Sequence, residues 1–155
     1  MRYFEDFAVG EVIELGSYTA TSEEIIEFAE QFDPAPFHVS ESGGKNSMFG
    51  GLVASGWHSC AIGMRMMCDS FLLDSAAQGA PGIEFIKWLN PVRPGTRVSG
   101  QGIVKSRRES GSRPNIGLVQ FRFEFRNEKD EPLMELENWI MFARKKPAQA
   151  TGAMG

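Results

Sequence analysis

The sequence has few residues that could cross-link the chain or bind a metal, with two cysteines and two histidines in 155 residues. Cys60 and Cys68 fall within one predicted helix, where a rise of about 1.5 Å per residue separates them by roughly 12 Å. That separation is beyond the reach of a disulfide. No HxxxH or CxxC spacing occurs. The sequence therefore predicts free thiols and no metal site.

An excess of basic residues and a long uninterrupted apolar run are also missing. The formal net charge is -4, so nucleic acid is an unfavourable partner, although Lys87, Arg93 and Arg97 could meet an anionic cofactor locally. The longest apolar run, residues 52–73, is interrupted by polar or charged residues that include Ser55, His58, Arg65 and Asp69. A helix that crosses a membrane would rarely tolerate them.

Several familiar motifs are absent. The N-terminal stretch MRYFEDFAVGEVIE has acidic residues where an export signal needs an apolar core, so we expect a cytoplasmic protein. There is no GxGxxG, GxxxxGK[ST] or GxSxG sequence. These absences exclude the usual dinucleotide fingerprint, the P-loop and the nucleophile elbow of serine hydrolases.

The patterns that are present predict an α+β domain with an antiparallel sheet around a central buried helix. A strand at 12–20 is followed by a capping-box pattern that begins a short helix ending at Asp33-Pro34. Residues 33–51, rich in proline and glycine, are predicted to be a long loop. A buried helix over 55–72 follows, with Trp57, Ala61, Met64, Cys68 and Phe71 at helical spacing. Four strands are predicted at 82–89, 96–106, 115–127 and 132–146, giving one domain over 1–146 and a flexible tail over 147–155.

Asp33 and His38 are the first candidates for chemistry. Two prolines stiffen the four residues between them, so both side chains can be held together with little freedom left to lose. A carboxylate and an imidazole can divide a proton transfer, one accepting a proton while the other delivers one. The alternative is structural, with the aspartate forming a turn and the histidine packed with one satisfied nitrogen.

The second candidate is the start of the buried helix at Ser55-Gly56-Trp57. Unpaired backbone N–H groups and the positive end of the helix dipole lie at a helix N-terminus, and glycine lets a ligand oxygen approach them closely. The structural alternative is that Ser55 only caps the helix. His58, one turn farther on, is expected to be a core histidine outside the site.

Four stretches of the chain together carry a family resemblance: FAEQFDPAPFH, FGGLVASGWHS, GIEFIKWLNPVRPGT and SRRESGSRPNIG. With them, the chain resembles the MaoC-like dehydratases, which are related to the R-specific enoyl-CoA hydratases and have the hotdog fold. The resemblance runs from about residue 4 to residue 145, nearly the whole chain.

The resemblance implies a function and its residues. Such enzymes add water to a 2-enoyl-CoA thioester, or remove it from a 3-hydroxyacyl-CoA, and are usually dimers with active sites near the subunit interface. It implies catalytic roles for Asp33 and His38. It also implies an oxyanion and substrate-binding site at Gly56 and Ser55, where the backbone N–H of Gly56 holds the thioester carbonyl. No cofactor is implied, because the CoA thioester is the substrate.

Three positions depart from the family pattern. Ala35 stands where an asparagine is often found, and this removes one expected support of the loop. Ala61 replaces a serine of some relatives, with Ser55 or Ser59 as substitutes. Ser42-Gly43-Gly44-Lys45 is expected to replace a short helical turn.

Two other functions and the identity of the acyl group stay open. The hotdog fold also serves thioesterases, which hydrolyse acyl-CoA, and a non-catalytic acyl-CoA or lipid binder would keep an apolar channel. Phe37, Phe49 and Trp57 could line an acyl pocket, although such residues are more often plain core. The acyl chain, the direction of the reaction and any assembly larger than a dimer are not fixed by these patterns.

Overall fold

The computed structural model describes residues 1–146. The predicted flexible tail at 147–155 lies outside the described residues, so the division into one domain and a tail stays a prediction. After a short 3₁₀ turn at Phe4–Asp6, the elements are β1 (Val12–Thr19), α1 (Ser22–Phe32), α2 (Pro36–Val39), α3 (Glu41–Lys45), α4 (Gly56–Met67) with a π-helical turn at Cys68–Leu72, β2 (Ile83–Trp88), β3 (Arg97–Glu109), β4 (Ile116–Arg126) and β5 (Pro132–Ala143).

The strands form one antiparallel sheet in the order β1-β3-β4-β5-β2. Phe121, Phe123 and Phe125 alternate along β4 and are buried on the same face of the sheet. Helix α4 packs closely on this face, since a Cβ added at Gly63 would lie 2.9 Å from the Phe125 ring. The predicted α+β architecture, with an antiparallel sheet around a central helix, is confirmed.

The prediction of a loop without helix over 33–51 is wrong, because the short helices α2 and α3 lie in this segment. Ser40 begins α3 by accepting a hydrogen bond from the Gly43 N–H at 3.0 Å. A Cβ at Gly43 would overlap the Pro36 carbonyl, and one at Gly44 would overlap the Gly51 backbone. These glycines permit close backbone packing, so the helical turn expected to be missing is present.

Helix α4 is buried on one side only, which corrects the prediction of a helix covered all round. Ile62 and Met66 are buried against the sheet, whereas Trp57, Ala61 and Met64 are exposed. The predicted stripe is therefore uncovered only at its start within residues 1–146, because Cys68 is half-buried and Phe71 is buried.

Two smaller expectations concern the cysteines and the apolar run. Cys60 and Cys68 are half-buried free thiols, as predicted. Within residues 1–146, no helix is long and apolar enough to span a lipid bilayer.

Candidate active site

Asp33 lies directly after the last residue of α1, at the point where Pro34 prevents the helix from continuing. Its Oδ2 atom accepts a hydrogen bond from the Ser55 hydroxyl at 2.7 Å. The same oxygen lies 3.5 Å from His38 Nε2, and the carboxylate side chain is 34% exposed. The carboxylate is therefore fixed on one side and open to solvent or a ligand on the other.

His38 lies on α2 and is buried. Its Nδ1 atom lies 2.7 Å from the Val53 carbonyl oxygen. Because a carbonyl can only accept, Nδ1 must carry the proton, and the neutral ring then presents an unprotonated Nε2 towards Asp33. The backbone thus sets the tautomer that leaves Nε2 available as a base.

The turn between Asp33 and His38 depends on proline geometry. Pro36 occupies the first turn of α2, where its missing N–H costs nothing. Ala35 is the N-cap and makes no side-chain hydrogen bond to the helix. The support that an asparagine could give here is absent, as the sequence indicated.

Ser55 links the carboxylate to the central helix. Its side chain is fully buried, caps α4 by accepting a hydrogen bond from the Trp57 N–H at 3.2 Å, and donates its own hydroxyl proton to Asp33. The predicted helix cap is therefore present, and the same hydroxyl also holds the Asp33 carboxylate. Asp33 lies beside the positive end of the α4 dipole as a result.

Gly56 opens α4, and its N–H has no hydrogen-bond acceptor within residues 1–146. Trp88 covers it: a Cβ at this position would lie 2.7 Å from the indole ring. The Trp88 indole N–H also donates to the Gly56 carbonyl at 2.9 Å. A side chain is excluded at this position, and the peptide is held in a fixed orientation.

Asp33, His38 and Gly56 line one cavity of about 610 Å³, whereas the fully buried Ser55 does not line it. The cavity wall is mostly apolar and includes the three predicted acyl-pocket residues; Ser59 lies in it, whereas Ala61 does not. The lining residues are Asp33, Phe37, His38, Met48, Phe49, Val53, Ala54, Gly56, Trp57, Ser59, Trp88, Leu89, Asn90, Pro91, Val92 and Arg93.

His58 is not part of this cavity and instead lines a shallow groove with Tyr18, Glu24 and Phe28. Its ring stacks on Phe28 at a centroid distance of 4.7 Å. Its Nδ1 atom is buried and has no partner within residues 1–146. Burial lowers the pKa of His58, and Glu24 partly opposes this effect. The expectation of a histidine packed outside the site agrees with this placement.

Of the three basic residues considered as anion contacts, only Arg93 lies in the cavity wall. Lys87 lies over the Phe85 ring. Arg97 lines a separate surface depression with Glu128.

Sequence reasoning missed two parts of the site. The first is the Ser55–Asp33 bond, and the second is the position of Trp88 over Gly56. The WLNPVRPG stretch was noticed only as part of a family pattern, and nothing local indicates that it folds over the start of α4.

Among residues 1–146, His, Cys, Asp and Glu side chains form no group of three or more suited to a metal ion.

The chain is similar to known proteins over most of its length. The family described as "MaoC like domain" matches residues 6–117. The structure of a MaoC-like dehydratase from Rhodospirillum rubrum is 34% identical, with a TM-score of 0.86 over 94% of this chain and 99% of that chain. The uncharacterized protein YdeM of Bacillus subtilis is 23% identical over 90% of this chain and 98% of its own. An unliganded R-hydratase from Pseudomonas aeruginosa is 17% identical with a TM-score of 0.75, covering 92% of this chain and 86% of that chain, a likeness of fold.

Proposed function

The chain belongs to the MaoC-like domain family and has the hotdog fold, and we propose that it hydrates 2-enoyl-CoA thioesters or dehydrates 3-hydroxyacyl-CoA. The observation that carries the proposal is that a carboxylate, an imidazole nitrogen and a helix N–H without an acceptor in residues 1–146 line one cavity. The names of the R. rubrum and P. aeruginosa proteins, a dehydratase and an R-hydratase, support the same reaction type. The reaction needs no cofactor, because the CoA thioester itself activates the double bond.

Asp33 and His38 hold the reacting water. At 3.5 Å, Asp33 Oδ2 and His38 Nε2 are both acceptors when the imidazole is neutral, so neither satisfies the other. A water molecule that donates one hydrogen to each would satisfy both. Its oxygen lone pair is then directed away from the two side chains and towards a substrate in the cavity.

Addition follows from that arrangement. The water oxygen bonds to the β-carbon while the dyad accepts one of its protons, and a proton is delivered from the dyad to the α-carbon. The product contains the elements of one water molecule, and the dyad returns to its starting state. Each proton transfer by a positioned group contributes roughly 10²- to 10⁴-fold to the rate.

Gly56 receives the negative charge that develops on the thioester oxygen. Its N–H has no acceptor within residues 1–146 and lies at the positive end of α4. One preorganised donor of this kind contributes about 3 to 4 kcal/mol in other enzymes. Ser55 is a positioning residue, since it contacts Asp33 and caps the same helix.

A panel of thioesters tests the proposal. The purified protein is mixed with 2-enoyl-CoA and 3-hydroxyacyl-CoA thioesters of different acyl chains, and the absorbance of the conjugated thioester is followed. Loss of that absorbance with enoyl-CoA, and its gain with 3-hydroxyacyl-CoA, is the expected result. Release of free CoA from a saturated acyl-CoA would instead identify a thioesterase, and saturable binding without turnover of any compound would identify a binding protein.

Self-association is part of the proposal. Trp57 and Met64 on α4 are exposed, as are Ile83 and Trp88 on β2, which lies at an edge of the sheet. A second copy of the chain would cover this surface and the strand edge together. Sedimentation equilibrium should therefore give at least twice the chain mass of 17.2 kDa. A monomer at micromolar concentration would refute this part.

A further inference from the structure

Arg93 carries the only permanent positive charge among the described residues that line the cavity. The rest of the wall is apolar or neutral apart from Asp33 and His38. A CoA thioester is strongly anionic, and a cation in an otherwise apolar wall favours the binding of a negatively charged group. The role of this arginine is not explained by the proton chemistry at the other groups.

The position of Arg93 is fixed by its backbone and by one end of its side chain. Its backbone N–H donates to the Thr96 hydroxyl at 3.1 Å, and its backbone carbonyl accepts from the Thr96 backbone N–H at 3.0 Å. One guanidinium nitrogen, Nη2, donates to the Phe49 carbonyl at 2.7 Å. The side chain is therefore oriented without being neutralised.

The other guanidinium donors are available. Arginine has five N–H donors in a fork that suits carboxylate and phosphate oxygens. Within residues 1–146, Arg93 forms no ion pair with a carboxylate, whereas Arg122 on the outer face of the sheet contacts three glutamates. Arg93 thus has the free donors of a binding residue, and Arg122 does not.

An apolar wall joins Arg93 to the reacting groups. Arg93 contacts Phe49, whose ring lies 5.3 Å from that of Phe37, and the Phe37 ring lies 4.4 Å from that of His38. A ligand held by the guanidinium would lie along these two aromatic rings before it reaches the dyad.

We propose that Arg93 is a binding residue that receives an oxyanion of the substrate, either a CoA phosphate or a carboxylate on the acyl group, and so positions the thioester at Gly56. The inference rests on the proposed function for the identity of the ligand. The interaction would contain several charge-assisted hydrogen bonds at an exposed side chain, so its loss should weaken binding by about tenfold.

The test compares Arg93→Gln with Arg97→Gln, which removes the same charge at an arginine outside the cavity. Calorimetry gives the Kd of butanoyl-CoA, glutaryl-CoA and the corresponding N-acetylcysteamine thioesters, which lack the phosphates. These saturated compounds need no turnover, and a melting curve checks the fold of each variant. Arg93→Lys serves as a second variant that keeps the charge but loses the fork.

The two sources of the oxyanion give different results. If Arg93 binds a CoA phosphate, Arg93→Gln weakens both CoA thioesters about tenfold and leaves both N-acetylcysteamine thioesters unchanged. If it binds an acyl carboxylate, only the two glutaryl compounds are weakened. Arg97→Gln should have no effect in either case.

The inference would be overturned if Arg93→Gln and Arg97→Gln changed the Kd values equally. It would also be overturned if Arg93→Gln weakened the binding of neutral butanoyl-N-acetylcysteamine as much as that of the anionic compounds. The outcome is separate from that of the proposed function. If the wild type hydrates enoyl-CoA and Arg93→Gln binds the thioesters as tightly as the wild type does, only the role of Arg93 is refuted. If Arg93→Gln weakens binding but the wild type turns over no thioester, only the hydratase function is refuted.

Discussion

Ser55, the residue before the first turn of α4, donates its hydroxyl proton to Asp33 at 2.7 Å across 22 positions of sequence. The same hydroxyl accepts the Trp57 N–H. One buried side chain therefore fixes the carboxylate of the site relative to the helix end that would hold the thioester oxygen. We therefore expect stability and the proposed activity to be coupled at this residue.

Ser55→Ala should lower both properties. Loss of the helix cap should reduce the free energy of unfolding by about 1 kcal/mol. Loss of a hydrogen bond to a charged group, worth about 1.5 to 3 kcal/mol, should reduce turnover by at least about tenfold. Urea unfolding and the enoyl-CoA absorbance assay measure the two effects.

Thr21→Ala is the matched control, because Thr21 caps α1 by accepting from the Glu24 N–H and does not line the cavity. It should reduce stability by a similar amount and leave turnover unchanged. A similar loss of turnover in both variants would mean that Ser55 acts only through stability.

Gly44→Ala should destabilise the segment that carries His38. The added methyl group would overlap the backbone of Gly51, and the backbone cannot move aside as a flexible side chain can. We expect a loss of about 2 kcal/mol or more in the free energy of unfolding. Gly111→Ala is the control, with nothing within 4 Å of the new methyl group, and should change stability by less than about 0.5 kcal/mol. Equal stability of the two variants would show that the close packing of α3 is unimportant.

His58 should make stability depend on pH. Burial lowers the pKa of its ring below the usual value, and the carboxylate of Glu24, together with Glu27 and Tyr18 in the same groove, faces it. Below about pH 6.5 the unfolded chain binds a proton that the folded chain resists. The stabilising contribution is therefore complete above that pH and decreases on acidification towards the lowered pKa.

His58→Phe removes the titrating group and keeps an aromatic ring against Phe28. The decrease in unfolding free energy between pH 7.5 and pH 5.5 should be smaller in this variant than in the wild type. Urea unfolding at both pH values measures it, with His58→Gln as a second neutral side chain. Identical decreases in all three proteins would contradict the assignment.

The elements with local signals could be predicted from sequence. The alternation of Phe121, Phe123 and Phe125 with polar residues is a period-two pattern, and it placed β4 and its buried face correctly. Thr21 gave the start of α1 through its cap. Such signals depend on neighbours in the chain and need no knowledge of the tertiary structure.

The remaining features depend on contacts between distant residues. The glycines of α3 indicate a loop by composition, but they are needed because Pro36 and Gly51 approach the helix closely. The position of Trp88 over Gly56 joins residues 32 positions apart. The pairing of Asp33 with His38 was expected. Ser55 was expected at the helix end, as a cap or as part of the oxyanion site, but its hydrogen bond to Asp33 was not.

In the proposed reaction, Asp33 and His38 act as one unit on a single water molecule. The most direct measurement is the hydration rate of a 2-enoyl-CoA by the wild type, Asp33→Asn, His38→Gln and the double variant, with far-UV circular dichroism to check folding. Each single change should reduce kcat by at least about a hundredfold. The kcat of the double variant should be only slightly lower than that of the less active single variant, because the effects of residues that act together do not multiply. Unchanged turnover in either folded single variant, or a loss in the double variant equal to the product of the two single losses, would show that Asp33 and His38 do not act as one unit.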